Sequence, residues 1–446
     1  MYFHNDTSGI YVSSLQVAVF KQCCYTIHEL RMVAFKTKAA SVVVMILTLY
    51  MIIQEHIWTQ ITPYVTFSDT VELSNREILW EPLRPVALET VTFEALLKDY
   101  TKKLKDIQTS GLWRKNIVKP CDEEIHPGWA CVESSCPRPQ PTTPEDNLRS
   151  VLSTMSDLNH QHLSLILGLF PEPPSGKRVM FVSAASKNHY NELQGLMRNL
   201  HQNVFPYISN YTFVYYDLGL LPGQRKKIEK HCRCEVRKFP QKYIPLRLQN
   251  LGCFAWKPFI IQANLPKTEI LVWVDSCVRF WNKTVPHLLK DVERRGIVTF
   301  GSNYSVAQHT MKETVAYMKE DTCSLAPVTE DQGGFLLFHN EQWIREAVIK
   351  PWVACAMSSK CMCPRRSGHM KRCNVKVRKY NKCHRFDQSV INIILHKLFR
   401  GHGSSLYSPF NERPNVTLAR GGDDDYFGEL DRSSHIFCKT LGISGC

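Results

Sequence analysis

The sequence predicts an α/β fold, a largely parallel sheet flanked by helices, set behind an N-terminal membrane anchor and stem. Three observations lead there. Ile270-Leu271-Val272-Trp273-Val274 is an unbroken apolar run, three of its five residues β-branched, and it ends on Asp275. Such a run is a strand buried on both faces, as at the centre of a parallel sheet. Further apolar runs at 179–185 and 211–217 alternate with helical segments, the order that builds parallel α/β sheets. The third observation is the stretch 39–53, AASVVVMILTLYMII, which carries no charge.

That stretch is short of the roughly 20 residues a spanning helix needs, and continuing it to Trp58 completes the length. Lys21, Arg31, Lys36 and Lys38 precede it, and a positive flank stays in the cytosol. No small-x-small cleavage site follows, which favours an uncleaved anchor over a removed signal peptide. The expected organisation is a cytosolic tail at 1–38, a signal anchor at 39–58, a stem and accessory region at 59–176, and a lumenal domain at 177–446. Met32 lies just ahead of the anchor, which makes residues 1–31 a candidate extension of the reading frame.

The remaining composition agrees with that address. Of 17 cysteines, all but Cys23 and Cys24 follow the apolar run, and an oxidising compartment would pair many of them. Acceptor sequons for glycosylation stand at Asn210, Asn282, Asn303 and Asn415. The net charge of +14 calls for anionic partners. Nucleic acid is set aside because the bulk of the chain lies across the membrane from it; sulfated glycans and phosphorylated donors remain.

In chain order, FEALLKDYTKKLKDI at 93–107 has helical apolar spacing, and a second helix is expected from Leu158 to Phe170. Between them lie Cys121, Cys131 and Cys136 and a stiff proline-rich linker, 137–144. The break PEPPSG at 171–176 marks the domain boundary. Then follow a strand from Val179, a helix at 188–200, a strand at 211–217, a short strand from Glu235, and a helix at 246–265 kinked at Pro258. Beyond Asp275 the pattern gives a strand at 297–300, a helix at 311–318, a strand at 334–338 and a helix at 341–349. An irregular basic segment runs from Pro351 to His384, and Asp387–Leu398 has the spacing of an amphipathic helix.

Ligands of open α/β sheets bind beyond the carboxyl ends of the strands, which places Asp275 where a ligand or metal ion is held. Asp also favours turns, so the same residue fits a purely structural role. Asp387 likewise suits a helix N-cap, and Gly333 and Gly334 suit a tight turn as well as close approach to a ligand. Glu330 and Asp331 are acids placed to orient a hydroxyl or act as base. Cys355, Cys361, Cys363, Cys373 and Cys383, with His369 and His384, lack paired C-x2-C spacing, so disulfides suit them better than zinc.

Taken in order, LVWVDSC, Gln332-Gly333-Gly334-Phe335-Leu336 and His384-Arg385-Phe386-Asp387-Gln388-Ser389 resemble the motifs of GT-A class nucleotide-sugar glycosyltransferases, in particular the family of glycogenin and the lipopolysaccharide galactosyltransferases. Trp256-Lys257-Pro258 and Pro351-Trp352-Val353-Ala354-Cys355 extend the similarity to an uncharacterised family of single-pass membrane proteins. The resemblance covers about residues 177–410. It implies a GT-A-like lumenal catalytic domain and a hexosyltransferase in the Golgi membrane, a single-pass type II protein moving a sugar from a nucleotide-sugar donor to a glycan or glycoprotein. It assigns donor binding to Asp275, Ser276, Lys257, Gly333 and Gly334, and catalysis to Asp387, Gln388 and Asp331.

The resemblance also implies a divalent cation, Mn2+ or Mg2+, with Asp275 as its ligand. The expected motif is Asp-x-Asp, and this chain has Asp275-Ser276-Cys277, so the second carboxylate is missing. His309, His402 and Asp423 to Asp425 are the candidate helpers. Two other readings stand beside the enzyme. One is a catalytically inactive GT-A-like glycan binder, favoured by the missing acid. The other is a basic heparin-binding extracellular protein, favoured by the segment after Pro351.

Overall fold

The computed structural model describes residues 85–109, 142–172, 176–281, 283–326, 328–365, 367, 373, 383–400, 416–420 and 424–441. The tail and anchor at 1–58, the sequons at Asn282 and Asn415, His369, His402, Asp423 and most of the basic residues after Pro351 lie outside these residues. Among the described residues no helix is long and apolar enough to cross a membrane.

The helices in chain order are α1 (Phe93–Thr109), α2 (Pro144–Leu152), α3 (His160–Leu167), α4 (Tyr190–Asn199), α5 (Pro222–His231), α6 (Trp256–Asn264), α7 (Val285–Arg295), α8 (Lys350–Met357), α9 (Asp387–Leu398) and α10 (Tyr426–Leu441), with several shorter turns between them. The strands are β1 (Val179–Ala185), β2 (Tyr211–Asp217), β3 (Glu235–Lys238), β4 (Ile270–Val274), β5 (Val278–Phe280), β6 (Ile297–Val298), β7 (Gly301–Ser305), β8 (Thr329–Asp331), β9 (Phe335–His339) and β10 (Val416–Leu418).

The central sheet has the order β3-β2-β1-β4-β9-β6. β1 runs parallel to both β2 and β4, with Val179 opposite Tyr211 and Ile270. β9 departs from the parallel pattern and is antiparallel to β4 and β6. The reason is topological. β6 points the same way as β4, and β7 and β8 pair with each other as a separate small sheet. The chain therefore re-enters the sheet from the end at which β6 left it, without the long crossover that a parallel strand needs. The result places the start of β9 beside the end of β4: Val274 pairs with Phe335, and the Asp275 N–H donates to the Gly334 carbonyl at 2.8 Å.

Side chains alternate across each strand, so both faces of this apolar sheet need a cover. Met180, Val182, Leu271 and Trp273 face α1, α2, α3, α6, α8 and α9 on one side. Phe181, Val272 and Val274 face α4, α7 and Phe427 of α10 on the other. The accessory region at 59–176 thus contributes α1 to α3 to the same core. Tyr100 and Asn147 also donate to the Leu398 carbonyl, satisfying an orphan acceptor at the end of α9. α2 was not expected from apolar spacing, yet its start is written in the chain. Thr143 and Asp146 form a reciprocal capping box, with Pro144 in the first turn.

Three other expectations change. The helix read through 246–265 is instead interrupted at Phe254 (φ 54), and α6 begins at Trp256. Pro258 then falls in the first turn, where its missing N–H has no partner to lose, and it starts the helix instead of kinking it. The helix before Pro351 does not stop there, because a π-helical stretch at Ile344–Ile349 runs into α8. The third is α9. Only His396 escapes full burial, so its polar stripe is buried as well as its apolar face.

Disulfides join Cys232 to Cys234, Cys253 to Cys363, Cys355 to Cys361 and Cys373 to Cys383. The Cys253–Cys363 bridge ties the approach to α6 to the segment after α8. Asn210 is exposed in the turn before β2, an accessible place for its sequon.

α7 ends at Gly296 with φ 83, and a Cβ there would stand 2.5 Å from the Trp343 ring. Gly296→Ala should therefore lower the unfolding free energy by about 2 kcal/mol or more, from left-handed strain plus displacement of the indole. Chemical denaturation checks this.

Candidate active site

Lys257 lies in the first turn of α6 and is 2% exposed. Its Nζ is 2.6 Å from Asp387 Oδ2 and 3.4 Å from Asp275 Oδ1, and it donates to the Gly333 carbonyl at 3.0 Å. The contact with Asp387 is an ion pair more than an aligned hydrogen bond. Burial pulls the Lys257 ammonium toward a lower pKa, but Asp275 and Asp387 outweigh it and hold the pKa above its ordinary value. For Asp387, burial dominates and raises its pKa against the pull of Lys257.

Asp275 follows β4 and keeps 29% of its side chain exposed, the most of the three charged residues. Trp273, two residues back on the same face, donates its indole N–H to Asp275 Oδ1 at 2.8 Å. Gly333 and Gly334 are required by closeness. A Cβ on Gly334 would stand 2.9 Å from Asp275 Oδ2, and one on Gly333 would stand 2.9 Å from Gln388 Cβ.

Gln388 is fixed at both ends of its amide. Its Oε1 accepts the Gly333 N–H at 3.1 Å, and its Nε2 donates to Glu330 Oε1. Glu330 is buried, and its Oε2 lies 2.5 Å from His309 Nδ1. Arg385 Nε stands 3.7 Å from Glu330 Oε1. One turn along α9, Asn392 accepts from the Asp331 N–H at 2.7 Å and donates to the Asp331 and Gln388 carbonyls. These bonds account for the buried polar stripe of α9.

Both helices that supply the charges follow a strained phenylalanine. Phe254 (φ 54) precedes α6 and Phe386 (φ 46) precedes α9, and their rings lie 6.2 Å apart. Non-glycine residues in this region cost about 1–3 kcal/mol each and persist where the surroundings fix them.

Lys257, Asp275, Gly333, Gly334, Asp387 and Gln388 thus come together. Ser276 and Asp331 take other places. Ser276 donates to Glu192 Oε2 at 3.0 Å, on α4. Asp331 is held through its backbone, and its Oδ2 has no hydrogen-bond partner. Burial raises its pKa well above the ordinary carboxylate value, with Thr299 opposing the shift and Glu330 adding to it. Neighbouring strand residues point to opposite faces, and it is Glu330 whose side chain reaches Gln388. Trp273 and Asn392 were missed in the sequence. Their signals were a W-x-D spacing on the strand and a Q-x3-N spacing on the helix.

The implied divalent cation finds a poor donor set among the described residues. Cys277, in place of the second acid, is buried, and burial followed by the Asp275 charge pushes its thiol up to about 11. His309 is engaged by Glu330, Asp424 by Arg198 and Asp425 by Arg432. The group of three potential ligands lying near one another, His309, Cys373 and Cys383, includes two cysteines already joined in a disulfide.

Two predictions follow from this packing. Gly333→Ala should cost more stability than Gly334→Ala, about 1–3 kcal/mol, because its Cβ meets a packed helix and not a half-open carboxylate; thermal unfolding of both variants compares them. The buried His384 is pushed down to about 4, chiefly by burial. Its folded pKa lies below the ordinary 6.5, so the unfolded chain takes up the proton first. Stability should fall by on the order of 3 kcal/mol as pH drops from about 6.5 to 4, and His384→Gln should flatten that limb in denaturation curves.

A family model described as a protein of unknown function (DUF1647) matches residues 151–262, a span that holds Lys257 and ends before Asp275. Among curated proteins none matches the chain. Among solved structures, the apo bifunctional glycosyltransferase WbbM is similar at 13% identity and TM-score 0.32, over 53% of this chain and 39% of that one. The galactosyltransferase LgtC, in complex with donor and acceptor sugar analogs, is similar at 14% identity and TM-score 0.32, over 57% of this chain and 95% of that one. Mouse xyloside xylosyltransferase 1 is similar at 10% identity and TM-score 0.32, over 52% of this chain and 84% of that one.

Proposed function

We propose that the protein is a glycosyltransferase that moves a sugar from a nucleotide-sugar donor to a glycan or glycoprotein, and that it works in the Golgi lumen behind its anchor at 39–58. The observation that carries this reading is the ion-pair group Asp387–Lys257–Asp275, gathered beyond the carboxyl end of β4 and closed by Gly333 and Gly334. Ligands bind at that end of such sheets.

In this reading the half-exposed Asp275 accepts hydrogen bonds from donor hydroxyls. Gln388 and Asp387 line the position of the donor sugar, with Glu330 holding the Gln388 amide. The acceptor hydroxyl oxygen bonds to the anomeric carbon as the bond to the nucleotide phosphate breaks, and the proton departs with the nucleotide. Fixed charges and dipoles stabilise such a transition state because they need no reorganisation when the reaction occurs. The basic segment after Pro351 would favour an anionic acceptor.

The test is hydrolysis of UDP-, GDP- and CMP-sugars. Asp275→Asn and Asp387→Asn should each lower the rate by about 100-fold or more. Asp425→Asn, on an exposed pair with Arg432, should leave it unchanged. Nucleotide binding without turnover would favour the inactive glycan binder, and heparin retention without nucleotide binding would favour the third reading.

A further inference from the structure

We infer that the Lys257 ammonium is the resident cation of this site and that a divalent metal takes no part in holding the donor. The inference rests on the donor-site reading above. Three oxygens from three separate segments converge on one point: Asp275 Oδ1 after β4, the Gly333 carbonyl before β9, and Asp387 Oδ2 at the start of α9. That point is filled by Nζ. A lysine ammonium has no acceptor, and here it meets oxygens alone: one hydrogen bond to the Gly333 carbonyl and ion-pair contacts with the two carboxylates. The separations of 2.6, 3.0 and 3.4 Å suit an ammonium. Mg2+ needs oxygens at about 2.0–2.1 Å, and Ca2+ takes them at about 2.3–2.6 Å.

Little oxygen surface is left over for a second cation. Asp275 Oδ1 also takes the Trp273 indole N–H at 2.8 Å. Its Oδ2 lies beside Gly334, which leaves a single oxygen of this carboxylate for a ligand. The position that would carry a second acid holds the buried Cys277. Lys257 thus offsets one of the two carboxylate charges from within the chain.

The test is Mn2+ electron paramagnetic resonance on the full-length chain, first without nucleotide and then with UDP, GDP or CMP. Wild type and Asp275→Asn should deplete the free Mn2+ signal equally. Nucleotide affinity in EDTA should match that in Mn2+ within about twofold. Lys257→Met vacates the space between the two carboxylates and should gain a Mn2+ site that Lys257→Arg does not. A Mn2+ site in the wild type that Asp275→Asn removes overturns the inference, as does nucleotide binding tightened about tenfold or more by Mn2+. If Lys257→Met fails to fold, the comparison of wild type with Asp275→Asn decides alone. If no nucleotide binds under any condition, the donor-site reading falls, while the titration without nucleotide still tests the metal.

Discussion

A lysine ammonium withdrawn from water costs several kcal/mol unless its charge and all its donors are met, and the centre of this molecule is arranged to meet those of Lys257. Asp275 and Asp387 supply the charge, and the Gly333 carbonyl accepts its hydrogen bond. Each partner brings a constraint of its own. The turn before β9 must come so close that positions 333 and 334 have no room for a Cβ. α6 and α9 must begin at fixed points, each after a phenylalanine in a left-handed conformation. The antiparallel course of β9 is what carries the two glycines to the end of β4.

The second requirement is a helix that is polar and dry at once. Gln388, Ser389 and Asn392 lie on α9 among Val390, Ile391 and Ile394, and all are buried. Ser389 donates to the His309 carbonyl at 2.6 Å, while Gln388 and Asn392 tie the helix to the β8–β9 turn. A buried polar network of this kind fixes geometry when every member is satisfied. It also explains why α1 and α2 belong to the core: without them the far end of α9 would expose the Leu398 carbonyl that Tyr100 and Asn147 now cover.

Much of this could be read in the chain. The strands announced themselves as apolar runs, and Asp275, Lys257, the glycine pair and the Asp387-Gln388 pair stood in motifs whose order matches their assembly. What could not be read depended on partners distant in sequence. Hydrophobic spacing treats any polar stripe as a solvent face, so α9 looked amphipathic. The choice between Glu330 and Asp331 depends on which face of β8 meets α9, which sequence does not record. Trp273 looked like one more core residue of an apolar run, though its indole N–H orients the carboxylate two positions on. Pro258 was read through its habit of breaking helices, when the left-handed Phe254 had already ended the preceding turn.

The distance along the chain between Asp275 and Asp387 bears on how the protein is made. Synthesis at about 5–20 residues per second leaves roughly 110 residues, or about 5–20 seconds, between the emergence of the first carboxylate and the second. During that interval Lys257 has Asp275 as its one counter-charge. A nascent chain interrupted before α9 would therefore lack more than one helix. It would carry an ammonium short of one counter-charge.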